Sequence, residues 1–96
     1  MEIIIKETIN SFKKPVFELL NGRCFSFAKA LQDRAGGKLR YLLCEYHVVL
    51  DLNGKLYDAS GNVTKQYKNS KYIEEDELMK RSSLVSELEK YKDGIV

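Results

Sequence analysis

The sequence predicts a small α+β domain in which a central helix beginning at Cys24 packs on a small antiparallel sheet, with further helices toward the C-terminal end. Three patterns carry that expectation. From Cys24 the apolar positions Cys24, Phe27, Ala28, Leu31 and Ala35 recur at the spacing of one helix face. Residues 39–58 concentrate tyrosines and β-branched residues around Asn53–Gly54, a strong short-range hairpin signal. Between Ile73 and Tyr91, Leu78, Met79, Leu84, Val85 and Leu88 form an apolar set that one or two helices would bury.

The elements follow in order. Ile5, Ile9 and Phe12 mark a first amphipathic helix that ends before Pro15. Val16 to Leu20 is a short apolar stretch, and Asn21–Gly22 supplies a turn ahead of the central helix. Gly36 and Gly37 end that helix, since left-handed backbone is accessible to glycine. Strands are expected over 39–44, 46–52 and 55–58. The two-residue turn at Asn53–Gly54 sets Leu52 opposite Lys55, Asp51 opposite Leu56, Leu50 opposite Tyr57 and Val49 opposite Asp58, with Ser60 opposite His47. A fourth short strand is expected around Val63 to Tyr67. Cys44, mid-strand in this scheme, belongs to the core, as does Tyr57. The acidic run Glu74 to Glu77 suits the first turn of a helix, where negative charge meets the positive end of the dipole.

Composition narrows the class. A chain of 96 residues, 44% hydrophobic and 31% charged, is expected to form one globular domain over residues 1–96. The longest apolar runs, Ile3 to Ile5 and Val48 to Leu50, are far short of the ~20 residues needed to cross a bilayer, so no membrane is expected. Lys6 and Glu7 follow the first apolar residues at once, unlike a secretory leader, so the expected location is cytoplasmic and both cysteines are read as thiols. The net charge of +2 points to no nucleic-acid partner. Lys65, Tyr67, Lys68, Lys71 and Tyr72 are the aromatic-plus-basic mixture that single strands stack on, but a solvated loop or lysine-guarded edge is the favoured reading of them.

The residues able to do chemistry are few. His47 and Val49 share a strand face, and Val49's partner Asp58 points the same way, so Asp58 is the diagonal neighbour of His47 at a β-carbon separation of roughly 7 Å. That is within reach of a hydrogen bond from imidazole to carboxylate. Asp51 shares the face but lies roughly 13 Å along the strand. Cys24 heads a helix after a glycine turn, where free amides and the helix dipole stabilise a thiolate, and Arg23 adds positive charge. Nucleophile, base and orienting acid are the parts that acyl transfer needs. No cofactor is expected, and no metal, because Cys24, His47 and Asp58 lack a paired ligand spacing and a fourth donor.

The segments NGRCFSFAKAL, GGKLRY and HVVLDLNGKLYDASG, within residues 21–61, resemble the short papain-like proteins of bacterial and phage genomes and, more distantly, transglutaminase-like and cell-wall endopeptidase domains. The resemblance implies Cys24 as nucleophile, His47 as base and Asp58 as orienter. Papain-like peptidases carry a glutamine before the nucleophile as an oxyanion donor. This chain offers Glu18 and Asn21 there, which makes Asn21 the candidate.

Two functions follow as expectations. One is a cysteine-dependent hydrolase or acyltransferase acting on an amide, whether peptide, isopeptide or glutamine side chain. The other is a binding or inhibitor protein on a papain-like scaffold, for example a phage-encoded one that blocks a host enzyme or defence complex. An open groove over Cys24 would mark the first, and a closed Cys24 beside an exposed patch the second. Either way the partner is a protein or peptide.

Overall fold

A computed structural model describes residues 1–81, which form an α+β unit. Helix α1, Glu2–Phe12, ends where Lys13 turns left-handed, and Pro15 then caps a five-residue helix α2, Val16–Leu20, that buries Leu19. Helix α3, Cys24–Ala35, buries Cys24, Phe27, Ala28 and Leu31, the face expected from their spacing. Phe12 of α1 meets Phe27 of α3 with ring centroids 6.0 Å apart.

The sheet has five strands in the order β4-β3-β2-β1-β5, namely β1 Lys38–Leu42, β2 His47–Leu52, β3 Lys55–Asp58, β4 Gly61–Asn62 and β5 Tyr72–Glu74, with every neighbouring pair antiparallel. Asn53 and Gly54 both take positive φ, 54° and 83°, as the two-residue hairpin requires. The register is Leu52 to Lys55, Asp51 to Leu56 and Leu50 to Tyr57, after which Asp58 pairs outward with Gly61. One sheet face, with Leu39, Tyr41, Val48, Leu50 and Tyr57, joins the helices in the main core. The other gathers Leu42, Val49, Leu56 and Val63 into a smaller cluster closed by Tyr67.

Four expectations are corrected. Strands over 39–44 and 46–52 would leave one residue to reverse the chain, fewer than the two of the tightest common hairpin. The chain instead spends Leu43–Tyr46 on the turn, and Cys44 is exposed rather than core. In place of a strand over Val63–Tyr67, Thr64–Tyr67 forms a single helical turn, α4. Asn62 causes this: its side-chain oxygen accepts from both the amide and the hydroxyl of Thr64, and such local bonds compete with a ladder. Ile73, read as helix, lies in β5, which pairs along the outer edge of β1. Helix α5, Glu75–Lys80, begins two residues later, and Met79 on it is exposed while Leu78 is buried. Leu84, Val85 and Leu88 lie outside the described residues. Among the described residues no helix is long and apolar enough to cross a membrane.

Candidate active site

Helix α3 and the start of β2 meet at Cys24. The first i to i−4 bond of α3 runs from the Phe27 amide to the Arg23 carbonyl, so the amides of Cys24, Phe25 and Ser26 have no acceptor within the helix. The thiol is buried, and the Val48 amide donates to its sulfur at 3.4 Å. Val48 follows His47, so the strand that carries the imidazole also brings a backbone donor to the sulfur.

His47 is buried at the mouth of β2, and its Nε2 lies 2.8 Å from Asp58 Oδ2 at the end of β3. The His47–Asp58 contact inferred from strand alternation is present, although the β2–β3 ladder stops at Leu50–Tyr57, short of the expected pairs Val49–Asp58 and His47–Ser60. With Nε2 engaged, Nδ1 is the ring nitrogen left to interact with the Cys24 sulfur, which is among the causes that act on the His47 pKa. Burial acts to lower the pKa of His47, but hydrogen bonds to Asp58 and Cys24 and the negative charges of both outweigh it, and the pKa rises to about 9. At neutral pH the ring is an imidazolium.

Asp58 is held from the other side. Its Oδ1 accepts from the Ser60 amide at 2.8 Å and the Ser60 hydroxyl at 2.5 Å. Burial pushes the carboxyl pKa up, but the His47 and Ser60 hydrogen bonds and the imidazolium charge prevail, and the net shift is downward. Asp58 therefore stays ionised, orienting His47 and sustaining its charge.

A cavity of about 220 Å³ opens beside this pair, lined among others by Asn21, Glu45, His47, Gln66 and Tyr67. Asn21 ends α2 and spends one Nδ2 hydrogen on the Phe17 carbonyl at 2.9 Å, leaving the second for a ligand. Cys24 does not line the cavity. The structure thus joins His47 to Asp58 directly, holds the Cys24 sulfur on the backbone of the next residue, Val48, and sets Asn21 at the cavity wall. Among the described residues no cluster of histidine, cysteine and carboxylate side chains is placed to hold a metal.

Ser60, Tyr67 and Glu45 were not read as site residues from the sequence. Ser60 had a signal, since an aspartate two residues before a serine favours an Asx-type turn. Tyr67 packs its ring 5.8 Å from that of His47, at 52°. It reaches the imidazole because α4 is a helical turn, and the local signal for that turn is the pair Asn62 and Thr64, two residues apart and hydrogen-bonded to each other. The same contact engages one of the tyrosines considered for nucleic acid, and Arg40 covers the other, Tyr72, at 3.8 Å from the ring centroid. No family model matches the chain, and no curated protein or solved structure matches it.

Proposed function

We propose that the protein is a cysteine-dependent hydrolase or acyltransferase on a papain-like scaffold, acting on an amide through Cys24, His47 and Asp58. The observation that carries this reading is the buried imidazole held on Asp58, Nε2 to Oδ2 at 2.8 Å, at the strand residue next to the Val48 amide that donates to the helix-start thiol. In the proposed reaction the Cys24 thiolate adds to the amide carbonyl, and the backbone amide of Cys24 with the spare Asn21 Nδ2 hydrogen stabilises the oxyanion. The imidazolium of His47 gives its Nδ1 proton to the leaving nitrogen as the C–N bond breaks, which leaves a thioester. The neutral imidazole then takes a proton from the incoming water or amine, whose attack releases the acyl group and restores the ion pair.

A second reading is favoured by one observation: Cys24 is only 6% exposed and lies off the cavity that His47 lines. On that reading the three residues are a structural remnant and the protein acts by binding another protein.

Alkylation by iodoacetamide separates the two. Cys44 is exposed and would mask the signal, so the experiment uses a Cys44→Ser background. A thiolate paired with His47 is expected to react rapidly at about pH 6, where an ordinary thiol of pKa ~8.5 is almost wholly protonated, and to lose that reactivity in His47→Ala. If Cys24 is inert until the protein is unfolded, the enzyme reading is wrong and binding takes its place.

A further inference from the structure

The cavity at His47 adjoins a larger cleft of about 550 Å³ that shares Leu20, Asn21 and Glu45 with it and extends to Lys14 and Tyr46. The charges along this cleft divide into a pair and a remainder. Glu18 lies 3.5 Å from Arg23, so those two offset each other. Lys14 lines only the larger space, away from His47. Glu45 borders both spaces, is exposed, and has no ion pair among the described residues. Its field reaches inward: after burial and Asp58, the Glu45 charge is a further cause that raises the pKa of the Tyr67 hydroxyl.

Tyr46 stands next to this carboxylate with φ of 51° and 79% exposure. A bulky residue rarely takes that backbone, and here it holds an uncovered aromatic ring at the cleft wall. A carboxylate beside an open ring face is the pair that attracts an alkylammonium or guanidinium group. An anion at the junction of the two spaces would meet the Glu45 carboxylate, whereas Lys14 lines only the larger one.

We infer that the cleft seats the lysine or arginine side chain of a peptide against Glu45 and Tyr46, so that a basic residue flanks the amide presented to Cys24. This deepens the thiol reading and rests on it for the word substrate, but the binding event itself does not involve Cys24, which lines neither space. The test is an NMR titration of the protein with acetyl-Gly-Lys-Gly-amide and with its norleucine counterpart, following the backbone amides of Gly22, Glu45 and Tyr46. The lysine peptide is expected to shift those amides and to bind about fivefold more tightly than the norleucine peptide, the size of one exposed ion pair with a ring contact. Glu45→Gln is expected to remove most of that preference, and Lys14→Gln to leave it in place. Equal affinities for the two peptides, shifts confined to other residues, or no shift with either would overturn the inference. Cys24 alkylation is measured separately, so a failed cleft and a failed thiol site give different results.

Discussion

Asp58 spends its acceptor capacity in two directions: Oδ2 takes the imidazole, and Oδ1 takes both donors of Ser60. The hydrogen bond between this carboxylate and the imidazole is therefore the chief support of the proton on His47, acting against burial, with the Cys24 sulfur second and the Asp58 charge itself the smallest contribution. Asp58→Asn keeps the shape and deletes the charge, so burial would then face only the sulfur's contribution. The His47 pKa is expected to fall from about 9 to the ordinary 6.5 or below. His47 is the only histidine, so its ring-proton signal in an NMR pH titration reads this without ambiguity. A titration still centred near 9 in the variant would mean that the carboxylate is not what holds the proton. Ser60→Ala leaves the charge and removes one of three hydrogen bonds to it, so a smaller fall is expected there.

The joint between α3 and β1 shows how an element boundary is enforced. Gly36 and Gly37 both have positive φ, 83° and 90°, but only Gly37 is hemmed in: a β-carbon there would lie 2.6 Å from the Asp51 carbonyl oxygen. Gly36→Ala is expected to cost about 1–2 kcal/mol for the backbone alone, because φ 83° with ψ −160° is a conformation that essentially only glycine adopts. Gly37→Ala adds a clash with a backbone atom inside the sheet and is expected to cost about 2–4 kcal/mol. Urea unfolding of the two variants checks this, and equal losses would show that the Asp51 contact is not what requires glycine. The stop at Gly36–Gly37 and the hairpin at Asn53–Gly54 were legible in the sequence because each depends on backbone angles that few residues adopt. The same is true of the His47 to Asp58 contact, which needs only that turn and the alternation of a strand. The strand β5 was not legible. It forms because the outer edge of β1 takes a partner, and Arg40, held by Asp51, lays its guanidinium on the Tyr72 ring. Those are contacts between distant segments, whereas the acidic run beside them reads locally as helix. Glu75 belongs to both descriptions: it opens α5, and its Oε1 accepts from the Leu39 amide and from Gln32, tying that helix to β1 and α3.

For the whole molecule, the buried ion pair makes stability a function of pH, and the sign follows from proton counts. Between the unfolded value of 6.5 and the folded value of about 9, His47 holds more proton in the folded state than in the unfolded chain. Stability from this group is therefore complete below pH ~6.5 and falls as the pH rises through 9, over a range on the order of 3 kcal/mol. Asp58 works in the other direction. Its folded pKa lies below the ordinary 3.8, so its contribution is present above that value and is lost as acid protonates the folded carboxylate. The two together place the stability plateau of this pair in mildly acidic solution, between the ordinary aspartate and histidine values. Urea unfolding of the native protein at about pH 5.5, 7 and 9.5, which lie on the plateau, on the slope and past the folded value, set against His47→Gln at the same pH values, isolates the effect. The difference between the two proteins is expected to shrink steadily as the pH rises, while other titrating groups cancel. A difference that stays constant or grows toward alkaline pH would mean that His47 is buried without its proton, and the imidazolium on which the proposed chemistry depends would have to be abandoned.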